Sequence, residues 1–219
     1  MAHHWWGDLI TPASWHHTWI SEGFATFVEG LFLEKQRGPA AYQEYIDGLM
    51  AQAPGTYRGS VSGRSDTVFW DSFGPQVYYK GAIVLHMLRR MLGDSVFFSS
   101  VRSYLSDPAL RYGCATTSDL AAAFSRASGR DLGWFFRQWV VERTEKIDRP
   151  SLKLSWSTRS LDATRMLDVT IDQATADVLL YRLPMRIAVS WPGGERSFDV
   201  VDSLAHQTFH LEVPQEPAS

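Results

Sequence analysis

Residues 2–26 read AHHWWGDLITPASWHHTWISEGFAT. Chain ends are ordinarily polar and loose; this one begins on histidines and tryptophans and has the character of a protein interior. Its last third opens an apolar period. Phe24, Phe27, Val28, Leu31 and Phe32 recur at the spacing of a buried helix stripe, and the run stops at Gly38-Pro39. His3 and Glu22 bound the stretch with 18 residues between them. Imidazole and carboxylate are both zinc ligands, so two helices carrying these residues could bring them to one ion. Glu22 beside an apolar stripe is better explained as a ligand than as a solvated charge.

Outward from this stretch the pattern stays helical to residue 148. A second helix is predicted from Pro39 to just before Pro54, followed by a Gly/Ser-rich surface loop over 54–66. Helices are expected over 78–94, closed by Gly93, over 94–108, stopped by Pro108, and over 115–129, with a Thr/Ser/Asp cluster suited to capping. RDLGWFFRQWVVER, 130–143, reads as a last amphipathic helix. From Arg149-Pro150 short alternating runs replace the helical period: LKLSWS, RMLDVTI, LPMRIAVSW, RSFDVV and TFHLEV predict five strands, and WPGGER predicts a turn between two of them. The organisation is therefore α+β, with a helical part over 1–148, an antiparallel sheet or partial sandwich over 149–213 and a polar tail over 214–219.

Composition narrows the function classes. The chain has 219 residues, 45% of them apolar and 21% charged, enough to bury a core. A formal charge of -3 without a basic run argues against nucleic acid as a partner. Cys114 is the single cysteine, so no internal disulfide forms. The longest apolar runs, such as GAIVLHML, are too short to cross a bilayer, and no signal peptide is seen. Nine tryptophans favour an aromatic core, and Trp5, Trp6, Trp15, Trp19, Trp134 and Trp139 are expected in it. His4, His16 and His17 read as surface or supporting groups, Glu29 and Glu34 as solvated helix charges.

The opening stretch closely resembles the zinc-site segment of the aminopeptidase N family, which includes leukotriene hydrolase. That family carries His-Glu-x-x-His, then Trp-Phe-Gly-Asn, then a glutamate within Asn-Glu-Gly-Phe-Ala-Thr. Here His3 falls on the second histidine, Trp5-Trp6-Gly7-Asp8 on the aromatic run, and Ser21-Glu22-Gly23-Phe24-Ala25-Thr26 on the glutamate segment. Val77-Tyr78-Tyr79-Lys80-Gly81 looks like the family's Val-Tyr-x-Lys-Gly, and the chain over 112–140 resembles its helical pair ending in Trp-Phe-Phe-x-Gln-Trp. Two departures stand out: His16 replaces an acidic or amide residue after Trp15, and Glu142-Arg143-Thr144 replaces the usual glycine after Gln-Trp-Val.

The resemblance implies the helical half of a thermolysin-like gluzincin catalytic domain. It implies zinc as cofactor, His3 and Glu22 as metal ligands, and Tyr78 as the donor to the oxyanion of the tetrahedral intermediate. It implies peptides with a free N-terminus as substrates. Met1-Ala2-His3 matches the end of His-Glu-Met-Ala-His. The expectation is therefore that the chain begins inside the motif. The first zinc histidine, the catalytic glutamate and the rest of the N-terminal part of the same protein would lie before it, leaving the chain inactive as it stands. The other reading is a non-catalytic scaffold or interaction module of the same fold.

Overall fold

The computed structural model describes residues 1–52, 60–62, 73–142, 150–161, 164–174 and 180–218. The fold is α+β, and the chain divides into two units, Met1–Asp148 and Arg149–Ser219.

In the first unit α1 (Thr18–Arg37) is the central element. Trp19, Ile20, Phe24 and Phe27 are its buried face. α2 (Pro39–Gln52) lays Tyr42, Ile46 and Leu49 against it. A π-helical turn, Gln76–Lys80, leads into α3 (Gly81–Leu92), which buries Val84, Leu85 and Leu88. α4 (Asp94–Ser106) brings Phe97 within 5.5 Å of the Phe27 ring and 5.7 Å of the Phe124 ring on α5 (Thr117–Ser128). α5 starts on a full capping box between Thr116 and Asp119 and ends on Gly129 in the left-handed conformation. Arg89 clamps the bundle. Its guanidinium donates 2.8 and 3.1 Å bonds to Glu34 of α1 and 2.8 and 2.7 Å bonds to Asp94 of α4, and lies over the Tyr42 and Phe98 rings. Glu34 is thus an ion-pair partner rather than a solvated charge.

Other expectations are corrected here. Two short strands, β1 (Ile10–Pro12) and β2 (Gly113–Ala115), pair in parallel inside the part read as all helical. The last helix of the unit is one turn, α6 (Gly133–Phe136), followed by a π turn over Arg137–Val141. Trp5 and Trp15 are exposed and Trp134 half-buried, while Trp6, Trp19 and Trp139 are buried. Phe32 is exposed although it falls on the apolar period of α1. The loop expected over 54–66 lies outside the described residues except Ser60–Ser62, where Ser60 and Val61 are buried.

The second unit is a small sandwich. β3 (Ser151–Leu161), β4 (Thr164–Ala174) and β7 (His206–Val213) form one antiparallel sheet in the order β3-β4-β7. β5 (Leu183–Trp191) and β6 (Gly194–Asp202) form a hairpin. Pro192-Gly193 closes it, Gly193 at φ +93°, the Pro-then-positive-φ pattern of a type II turn. Period-two alternation places Leu167, Val169 and Ile171 inside with Val189, Leu211 and Val213. The opposite face carries Asp168, Thr170 and Asp172 against His210, Thr208 and His206. The tail read as merely polar is tied down: Ala218 N donates to Ser190 O at 2.7 Å, Thr158 Oγ1 donates to Glu216 at 2.7 Å, and Pro217 is buried beside Leu154 and Trp156.

Candidate active site

The opening residues are held by a stack. Trp6 lies flat on Phe24 of α1, ring centroids 4.5 Å apart and planes 6° from parallel. Gly7, at φ +137°, folds the chain back so that Asp8 N donates to His3 O at 2.9 Å. This sets the short 3-10 turn Ala2–His4 against the first turn and a half of α1, where Ser21 and Glu22 lie.

His3 is oriented from one side of its ring. Nδ1 lies 3.2 Å from the Trp6 carbonyl and 3.1 Å from Ser21 Oγ, and Ser21 Oγ itself donates to the same carbonyl at 3.0 Å. A carbonyl oxygen only accepts, and the serine proton is committed to it. Nδ1 therefore carries a hydrogen and donates, which in a neutral ring places the lone pair on Nε2. Nε2 faces Glu22 Oε2 at 3.7 Å. Glu22 is 16% exposed on its side chain, and burial raises its carboxyl above the usual range, partly offset by His3.

Tyr78 sits in the π turn Gln76–Lys80, an irregularity that often marks functional sites. Burial and the Glu22 carboxylate both raise its phenol, so it keeps its proton at neutral pH. Beside Glu22 opens a cleft of about 430 Å³, whose lining includes Pro12, Trp15, Thr18, Ser21, Glu22 and Phe73.

The structure thus brings His3 and Glu22 together and couples Tyr78 electrostatically to Glu22. His17 turns Nδ1 to Thr117, which also takes the Trp19 indole N–H at 2.9 Å, and His4 faces Asp8 across 3.7 Å at the surface. Among the described residues no group of three or more His, Cys, Asp or Glu is gathered that could hold a metal. Sequence reasoning missed Ser21 and the Trp6 carbonyl as partners of His3. A serine directly before Glu22 was the available signal.

A model of the peptidase family M1 domain matches residues 1–139. Aminopeptidase N of Streptomyces lividans is 29% identical over 164 residues, covering 70% of this chain and 19% of its own length. Mitochondrial aminopeptidase 2 of Saccharomyces cerevisiae is 29% identical over 224 residues, covering 98% and 23%. The chain therefore spans about a fifth of the length of these relatives. Among solved structures, Legionella pneumophila aminopeptidase A in complex with aspartic acid superposes with a TM-score of 0.73 at 20% identity, over 98% of this chain and 24% of that one. The M1 zinc metallopeptidase from Deinococcus radiodurans gives a TM-score of 0.58 at 31% identity, over 65% and 31%.

Proposed function

Because this chain belongs to peptidase family M1, we propose that it carries two zinc ligands, His3 and Glu22, and the oxyanion donor, Tyr78, of an aminopeptidase cleaving the first peptide bond of chains with a free amine. The reading rests above all on the His3–Glu22 pair. Their 3.7 Å separation is too long for a hydrogen bond. It is close to the ~3.4 Å expected between two ligand atoms placed tetrahedrally at ~2.05 Å from one zinc ion. A neutral imidazole with Nδ1 engaged elsewhere and a half-buried carboxylate suit that ion.

His3 and Glu22 would hold the zinc. When bound, it supplies Lewis acidity toward the carbonyl of the scissile bond. Tyr78 donates a hydrogen bond to the carbonyl oxygen as negative charge develops there, and its raised phenol lets it do so without ionising. Glu22 would not act as general base, since as a ligand its lone pairs would be committed to the zinc. It is the one carboxylate lining the cleft among the described residues. A positioned base contributes about 100- to 10,000-fold, and the reading requires that group and a third ligand in addition to the described residues that line the cleft.

Residues 1–219 alone should then show no measurable hydrolysis of aminoacyl anilides, with or without added zinc. Joined to a family M1 segment that supplies the His-Glu pair, the protein should turn over these substrates. Chelators, Tyr78→Phe or Glu22→Ala should abolish that turnover. Chelator-sensitive turnover by residues 1–219 would overturn the assignment of a missing base. A stop codon or unrelated sequence upstream would favour the non-catalytic module.

A further inference from the structure

We propose that Gly23 and Gly81 are positioning residues: their backbone-to-backbone contact holds Tyr78 at its working distance from Glu22. The proposal deepens the functional reading above and rests on it for the roles of those two side chains.

Glu22 directly precedes Gly23 on α1, and Tyr78 lies three residues before Gly81, the first residue of α3. A Cβ on Gly23 would fall 3.1 Å from both Cα and the carbonyl carbon of Gly81 and 3.4 Å from Val77 O. A Cβ on Gly81 would fall 3.0 Å from Gly23 Cα and 3.6 Å from Trp19 O. All of these are backbone atoms, so no side chain can rotate away to make room. Carbon atoms in contact prefer ~3.5–4.0 Å. A single methyl at either position must therefore move the two helices apart by a few tenths of an ångström. Gly81 N also bonds Gln76 O and Tyr78 O, so the same residue closes the π turn that carries the phenol. A shift at Gly81 is passed straight to Tyr78.

Helix-interior glycine is unfavourable by ~1 kcal/mol against alanine, so two glycines in one contact indicate a spacing requirement. Gly48 of α2 supplies the control. A Cβ there meets nothing within 4 Å, so Gly48→Ala should raise the melting temperature and leave the site alone.

The test incorporates 3-fluorotyrosine at position 78 of residues 1–219. The 19F shift is recorded with and without Glu22→Gln, the difference reporting the field of the carboxylate at the ring. That difference should be clear in the unaltered protein and in Gly48→Ala, and should shrink in Gly23→Ala and Gly81→Ala. In the protein joined to that M1 segment, Gly81→Ala should lower kcat several-fold with KM little changed, the effect of a few tenths of an ångström of misplacement. A lowered melting temperature with an undiminished 19F difference would overturn the proposal, as would a Glu22→Gln change that leaves the unaltered protein's shift unmoved. Loss of helical circular dichroism in both alanine variants would make the contact a folding requirement only and would also overturn it. Failure of the functional reading is distinguishable. The protein joined to the M1 segment would then be inactive while the 19F differences follow the expected order.

Discussion

His3 presents Nε2 to Glu22 while its proton stays on Nδ1, and Ser21 with the Trp6 carbonyl keeps it there. Long-range 15N–1H spectra of histidine-labelled protein should show the Nδ1–H tautomer at His3, and Ser21→Ala should bring in the other form. An Nε2–H tautomer in the unaltered chain would contradict the geometry. A second residue, Arg89, tests structure rather than chemistry. Arg89→Met keeps an aliphatic stem over Tyr42 and Phe98 but leaves Glu34 and Asp94 without a cation. Those carboxylates reach water, so we expect a loss of about 2 kcal/mol in urea melts, below the ~3–5 kcal/mol of a stranded buried charge. Residue by residue, the sequence was uneven. His3 and Glu22 stood in a spacing that has chemical meaning. Glu34 and Trp15 did not, because the partner that pairs one is 55 residues away and nothing local exposes the other.

α3 carries a pH dependence. Its His86 is half-buried, accepts or donates at Nδ1 to the Tyr42 hydroxyl at 2.8 Å, and is pushed down to about 4, first by burial and then by Arg90 and Arg89. The unfolded chain binds its proton near the ordinary value of ~6.5. Between these two values the unfolded state holds more protons. Stability from His86 is therefore complete above pH ~6.5 and is lost as pH falls toward the folded value. Urea midpoints of the native protein should decline across that window, and His86→Phe should flatten the decline. An equal slope in the variant would assign the effect elsewhere. Helices of this kind were legible from their apolar period and their glycine and proline stops. The two π turns were not. A wider turn changes which carbonyl each N–H reaches while leaving the residue types unchanged. β1 and β2 escaped for a related reason: three-residue strands are too short to show alternation.

At the scale of the molecule, the five strands after residue 150 were legible from alternation, but their division into a three-stranded sheet and a hairpin was not, since pairing depends on residues far apart in the chain. The unequal sheets leave Leu152, Leu154 and Trp156 of β3 partly uncovered on the inner face, at 43%, 58% and 47% exposure. The tail crosses one end of that groove through Pro217 and Ala218. Truncation after Val213 should raise hydrophobic-dye binding and shift Trp156 emission to the red. Unchanged dye binding and emission would show that the tail covers nothing. Among the described residues no helix is long and apolar enough to cross a membrane.

The π turn before α3 has a consequence for insertion and deletion. Such a turn holds one residue more than the α turn it replaces, and one residue of α-helix is about 100° of rotation. Deleting a single residue between Tyr78 and Gly81 would leave a continuous helix with Val84, Leu85 and Leu88 still facing the core. The phenol would swing away from Glu22, and the buried Val77 beside it would turn with it. The helix is thus written in two phases, one on each side of the π turn, offset by a single residue.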